Sequence, residues 1–112
     1  MHFSVNAAKA KQISADATPI RTPTLSIKFL PDNNLYKYTV VISKKQGNPV
    51  KRNRVKRIIR EIMRCNRNRY LSGFYMLYVN KKCDQLNRDI LLSDLEKAIT
   101  KISHNQTIKT VT

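Results

Sequence analysis

One stretch, Ser43 to Arg69 (SKKQGNPVKRNRVKRIIREIMRCNRNR), constrains this chain more than any other. It holds half of the chain's 22 lysines and arginines and one of its seven acids, Glu61. It also keeps a helical period. Val55, Ile58, Ile59, Ile62 and Met63 recur at i, i+3, i+4, i+7 and i+8, which makes a single apolar stripe. At about 100° per residue, Asn53, Arg57, Arg60 and Arg64 fall on the opposite side, flanked by Lys56 and Arg67. One face must therefore pack on a core, and the other is almost pure positive charge. A solvated helix face usually alternates signs at i, i+4. Here Arg57–Glu61 is the only such pair expected on the basic face. Stacked like charges cost stability, and a polyanion is the natural compensation.

Composition agrees. A net charge of +15 and a pI near 10.3 on 112 residues point to nucleic acid or an anionic surface. Hydrophobic content of 41% supports one modest core, hence a single domain over residues 1–112. No apolar run approaches the ~18–20 residues of a membrane span, and the start lacks the pattern of a signal peptide. The helix's apolar side is needed for the core, so a membrane partner is not expected. Cys65 and Cys83 have no neighbouring Cys or His at ligand spacing, and His2 and His104 lie near the ends. The reading is two reduced cytosolic thiols and no protein-held metal. Cys65 falls on the flank of the basic helix, where partial burial is expected. The acids form no pair suited to two catalytic metals, so no catalytic residue is expected. Asp32, Asp84, Asp89 and Asp94 read as turn and cap residues.

Residues 1–23 read as a short N-terminal helix over Phe3 to Ile13, then a loop with Pro19 and Pro23 and an extended piece near Thr18 to Arg21. Leu25, Ile27 and Phe29 alternate with Ser26 and Lys28, the pattern of a half-buried strand. After the turn cluster Pro31-Asp32-Asn33-Asn34, Leu35 to Ser43 reads as a second strand, most simply its antiparallel hairpin partner. Asn48 can cap the basic helix with Pro49 at its first position, and the helix is expected to reach about Arg67 or Asn68. Ser72-Gly73 breaks it, and Phe74 to Val79 (FYMLYV) reads as a buried strand. Ser93 to Glu96 fits a capping box ahead of a final amphipathic helix carrying Leu95, Ala98, Ile99 and Ile102. Residues 104–112 are expected to be a frayed tail. The order is α-β(2–3)-α-β-α, an α+β two-layer sandwich. Two helices cover one sheet face, and the other, bearing Ser26 and Lys28, is left as a groove.

At Ser43 to Glu61 the pattern meets a known family. SKKQGNPVKRNRVKRIIRE resembles the segment S-K-K-x-G-x-A-V-x-R-N-R-x-K-R-x-x-R-E of the protein subunit of bacterial ribonuclease P. The likeness is ordered over nineteen positions and extends over roughly residues 24–103. It implies a fold like the second domain of ribosomal protein S5, with a left-handed βαβ crossover, against the general right-handed rule. It implies a cytoplasmic ribonucleoprotein, one protein per catalytic RNA, in which the RNA and its Mg²⁺ remove 5′ leaders from precursor tRNA. By position, Lys45, Arg52, Asn53, Arg54, Lys56, Arg57, Arg60 and Arg64 would engage that RNA. Phe3, Ala7, Ser26, Lys28, Val41 and Lys44 would line the cleft for the single-stranded leader. The chain has Ala7 and Lys28 where the family often has aromatics, and Pro49 in place of Ala. Two other readings of the basic helix are a ribosomal or RNA-chaperone protein and a DNA major-groove reader. The second is disfavoured because the apolar stripe packs the helix on a sheet.

Overall fold

The computed structural model describes residues 19–111, with side chains described to residue 104. The expected N-terminal helix, with Phe3 and Ala7, lies outside the described residues. Four strands form one sheet: β1 (Ile20–Arg21), β2 (Leu25–Pro31), β3 (Tyr36–Val41) and β4 (Gly73–Val79). Helix α1 (Pro49–Cys65) joins β3 to β4, and helix α2 (Arg88–Val111) closes the described chain. Short 3₁₀ turns at Lys44–Gln46 and Cys83–Gln85 precede the two helices.

The strand order is β1-β2-β4-β3. β2 and β3 are therefore not hairpin partners, contrary to the simplest sequence reading. β4 lies between them, antiparallel to β2 and parallel to β3. The reason is in the side chains. β4 is apolar on both faces and buried at every position but Tyr78, so it takes an inner place between β2 and β3. β2 alternates and lies beside it as the other inner strand, bordered on its far side only by the two-residue β1. The Asp32 carboxylate accepts the N–H groups of Asn34 and Leu35, which turns the chain there. The step across one strand is ~10 Å at ordinary strand spacing, within reach of the few residues between β2 and β3.

Both helices pack on one sheet face, as expected. Val55, Ile59, Ile62 and Met63 of α1 join Leu91, Leu95, Ala98, Ile99 and Ile102 of α2 over Leu25, Ile27, Phe29, Tyr75 and Leu77 of the sheet. The apolar stripe read from the sequence is thus the buried side of α1. Asp94, nearly fully buried on α2, accepts the backbone N–H and the hydroxyl of Thr24, pinning α2 to the start of β2. On the opposite sheet face, Phe74 and Met76 are buried and pack with Leu30 and Tyr78. The centre of the groove expected there is apolar.

Three helix boundaries differ from expectation. α1 ends at Cys65, where the Asn66 side chain donates to the Ile62 carbonyl and stops the helix. Cys65, at that end, is exposed rather than partly buried. α2 begins five residues ahead of the Ser93 capping box, because the Asn87 side chain already accepts the Ile90 N–H. The α2 backbone also continues as helix past residue 103 to Val111. Gly73 opens β4 at φ +152°, and a Cβ there would stand 2.5 Å from the Leu30 carbonyl oxygen and 2.6 Å from the Phe29 ring. Any side chain at Gly73 would push β2 away.

Candidate nucleic-acid interface

The face of α1 that points away from the core is set by how the helix starts. Asn48 accepts the Lys51 N–H at 2.9 Å, and Pro49 occupies the first turn, where a missing N–H costs no intrahelical bond. That start places Val55 and Ile59 inward at full burial and turns Asn53, Arg57, Arg60 and Arg64 to solvent. Arg57, Arg60 and Arg64 make no hydrogen bond or ion pair with a described residue. Each guanidinium keeps its fork of donors free, a geometry suited to phosphate oxygens. Lys56 is half-buried along the same side. The expected Arg57–Glu61 pair does not form; Glu61 instead lies 3.7 Å from Arg88 of α2, which leaves Arg57 unneutralised.

Two arginines of the same motif are used differently. The Arg52 Nε–H donates to the Gly47 carbonyl at 3.0 Å. Arg54 Nη2 donates to the carbonyls of Cys83, at 3.2 Å, and Leu86, at 3.1 Å. Both stand on the flanks of α1 rather than at its outermost line. They hold the loops at either side of the helix start. Lys45 lies in the preceding 3₁₀ turn, exposed, and its carbonyl accepts Lys82 Nζ at 2.8 Å. Lys51 pairs with Asp84 at 2.7 Å, both well exposed. Among the described acids, Asp32 makes its turn, Asp84 and Glu61 make these pairs, Asp94 holds Thr24, and Glu96 pairs with Arg69 at 3.2 Å. Among the described residues no three His, Cys, Asp or Glu side chains gather where they could hold a metal ion.

The leader-cleft positions separate in the same way. Ser26 and Val41 share one row of the sheet, each in register with Tyr78 of β4 between them. Lys28 lies one row along, beside Met76 and Thr39. Lys44 follows in the exposed turn just after β3. Ser26, Val41 and Lys44 thus lie toward the end of the sheet from which the chain passes into α1, and Lys28 lies nearer the middle. Phe3 lies outside the described residues. Sequence reasoning missed Tyr78, the half-buried ring at the middle of the Ser26–Val41 row. The signal was present: within FYMLYV, Phe74, Met76 and Tyr78 alternate onto that one face. Asn80 was missed as well; its side chain donates to the Ser26 hydroxyl at 2.9 Å.

Among the described residues no helix is long and apolar enough to cross a membrane. The family model described as Ribonuclease P matches residues 7–103. A ribonuclease P protein component of Geotalea uraniireducens is 32% identical over 71 residues, covering 63% of this chain and 63% of that protein. One of Finegoldia magna is 40% identical over 58 residues, covering 52% of this chain and 49% of that one. The aligned part thus spans about half to three fifths of these relatives. Among solved structures, an RNase P protein of Staphylococcus aureus superposes at a TM-score of 0.78 with 19% identity, over 92% of this chain and 96% of that one. The RNase P protein of Thermotoga maritima superposes at 0.76 with 18% identity, over 88% and 96%. These two share the fold. With the family model matching most of its length, the chain belongs to the Ribonuclease P protein family.

Proposed function

We propose that this chain is the protein component of a ribonuclease P ribonucleoprotein, bound one-to-one to a catalytic RNA in the cytoplasm and assisting removal of 5′ leaders from precursor tRNA. The observation that carries the reading is the row Arg57, Arg60 and Arg64 on a helix whose other side is locked into the core, in a chain of net charge +15. A row of free guanidinium forks about one turn apart follows an RNA backbone, where each fork takes one phosphate. Asn53 and Lys56 extend the row. Arg52 and Arg54 act on the RNA through the loops they fix, and Lys45 sits beside them at the helix start.

The leader runs along the sheet face of Ser26 and Lys28. Tyr78 offers a ring between Ser26 and Val41, and Lys44 brings charge at the same end. Phe3 is assigned to this cleft from the family pattern. Of the described acids, Asp32 makes a turn, Asp94 holds Thr24, and Glu61, Asp84 and Glu96 are in ion pairs. Mg²⁺ is therefore assigned to the RNA phosphates, and bond cleavage to the RNA. The protein's part is to neutralise phosphate repulsion where RNA and leader meet, which favours Mg²⁺ there. A ribosomal or RNA-chaperone role is disfavoured by the family match. The test is to add the protein to a bacterial ribonuclease P RNA at limiting Mg²⁺ and measure precursor-tRNA cleavage. A rise in rate is expected, lost in the Arg57→Ala, Arg60→Ala double variant; no rise from a folded protein overturns the proposal.

A further inference from the structure

Beyond the C-terminal end of α1 the row of arginines runs into a cavity of about 190 Å³ that the motif does not cover. It is lined by Asn34, Leu35, Tyr36, Lys37, Tyr38, Arg64 and Arg67. Its back wall is aromatic and held in place. The Tyr36 hydroxyl donates to the Met63 carbonyl at 2.6 Å, one of the carbonyls left free at the helix end. The Tyr38 ring meets Tyr36 edge-on, with centroids 5.7 Å apart. The strand beneath, β3, lies at the sheet edge, so part of its backbone has no strand partner. At the mouth stand Arg64, on the last turn of α1, and Arg67, just past it; both are exposed, and neither makes a hydrogen bond or ion pair with a described residue.

A fixed ring, an edge strand and two free guanidinium forks around a small cavity match the parts of one nucleotide. A base has a face for stacking and polar edges for backbone groups, and its phosphate suits paired arginines. Resting on the reading that α1 follows RNA, we propose that this cavity takes one unpaired nucleotide of that RNA, its base on Tyr38 and its phosphate on Arg64 and Arg67. The cavity continues the Arg57–Arg60–Arg64 row without a gap, which argues for the same RNA strand rather than a separate small anion. The site would fix the register of the protein on its RNA. Phosphates along α1 position the helix, and a captured base marks where along the strand it stops.

The test is an NMR titration of the full chain with pentauridylate and with a five-unit ribose-phosphate strand lacking bases. Pentauridylate should move the Tyr38 ring resonances together with the Nε–H signals of Arg64 and Arg67. The abasic strand should move only the arginine signals. Tyr38→Leu should weaken pentauridylate binding about 5-fold or more, the scale of one base stacked on a ring, and leave the abasic affinity within about twofold. Tyr38→Phe keeps the ring and should bind as the parent does, which separates loss of the wall from loss of the fold. A Tyr38 ring that does not respond to pentauridylate, or equal losses on both strands, overturns the site. Stimulation of the catalytic RNA by the same preparation is read in parallel. Stimulation without a Tyr38 response sinks the nucleotide pocket alone, and a Tyr38 response without stimulation sinks the proposed function alone.

Discussion

The two ends of α1 carry the same residue type to different ends. At the N-terminal end, Arg52 and Arg54 donate to carbonyls of Gly47, Cys83 and Leu86, so these arginines join the helix to its own loops. Further along, Arg57, Arg60 and Arg64 donate to no described residue, and the helix end is held by tyrosine and asparagine instead, through Tyr36 on Met63 and Asn66 on Ile62. A run of arginines in a sequence is thus not one structural unit. Position around the helix sorts it: residues on the flank find loop carbonyls, and those at the outermost line find only solvent or a partner. The general lesson is that charge density shows where a polyanion binds, while hydrogen-bond partners show which charges are available to bind it.

The comparison can be broken most violently through the stripe both ends share. Ile59 is fully buried between α1 and the sheet. Ile59→Asp should cost about 4 kcal/mol or more, because it buries a charge with no partner. Circular dichroism should show loss of cooperative unfolding, and both ends should lose RNA binding together. A cooperatively folded I59D protein would refute the packing. Next in size is Asp94→Ala, which strands the Thr24 N–H and hydroxyl in a buried place. About 2–3 kcal/mol should be lost in urea unfolding, with no preference for either end of α1.

Arg54→Ala sharpens the contrast itself. Removing a donor shared by two loop carbonyls should cost about 1 kcal/mol of stability in urea unfolding, whereas Arg57→Ala should change the unfolding free energy by less than about 0.5 kcal/mol. Equal stability losses would erase the distinction between the ends. The smallest effect at neutral pH lies at the tyrosine-held end. Burial, with the charge of nearby Glu96, pushes the Tyr70 phenol up to about 12. Burial raises Tyr75 and Tyr36 further still. Folding thus favours the protonated phenols. Their contribution is complete below the ordinary phenol value of about 10 and is lost as pH rises toward 12 and beyond. The urea midpoint should fall above about pH 10, and Tyr70→Phe should flatten that fall; an unchanged slope would remove Tyr70 from the account.

Much of this was legible beforehand. The period of Val55, Ile59, Ile62 and Met63 placed the buried side of α1, and alternation in Leu25–Phe29 placed β2, because both patterns record burial directly. The strand order was not legible. A turn cluster such as Pro31–Asn34 reports that the chain reverses, not which strand later enters between the two it joins; the apolar content of FYMLYV on both faces was the only hint that β4 would sit between β2 and β3. The start of α2 was not legible either, because two caps are available and Asn87 acts first. Within the site, the outward row was visible from the helical angle. The loop bonds of Arg52 and Arg54 were not, since Cys83 and Leu86 are far away in sequence and approach only through the fold. The Arg64–Arg67–Tyr38 cavity was hidden for the same reason: a strand edge and a helix end meet only when β3 lies at the margin of the sheet.

The measurement that bears most directly on the division of α1 is the salt dependence of RNA binding for Arg54→Ala and Arg57→Ala side by side, each checked for folding. A lost phosphate contact lowers the slope of log K against log salt by about one. That drop is expected for Arg57→Ala, and an unchanged slope for Arg54→Ala, whatever its effect on affinity. An unchanged slope for Arg57→Ala, or the larger drop for Arg54→Ala, would contradict it.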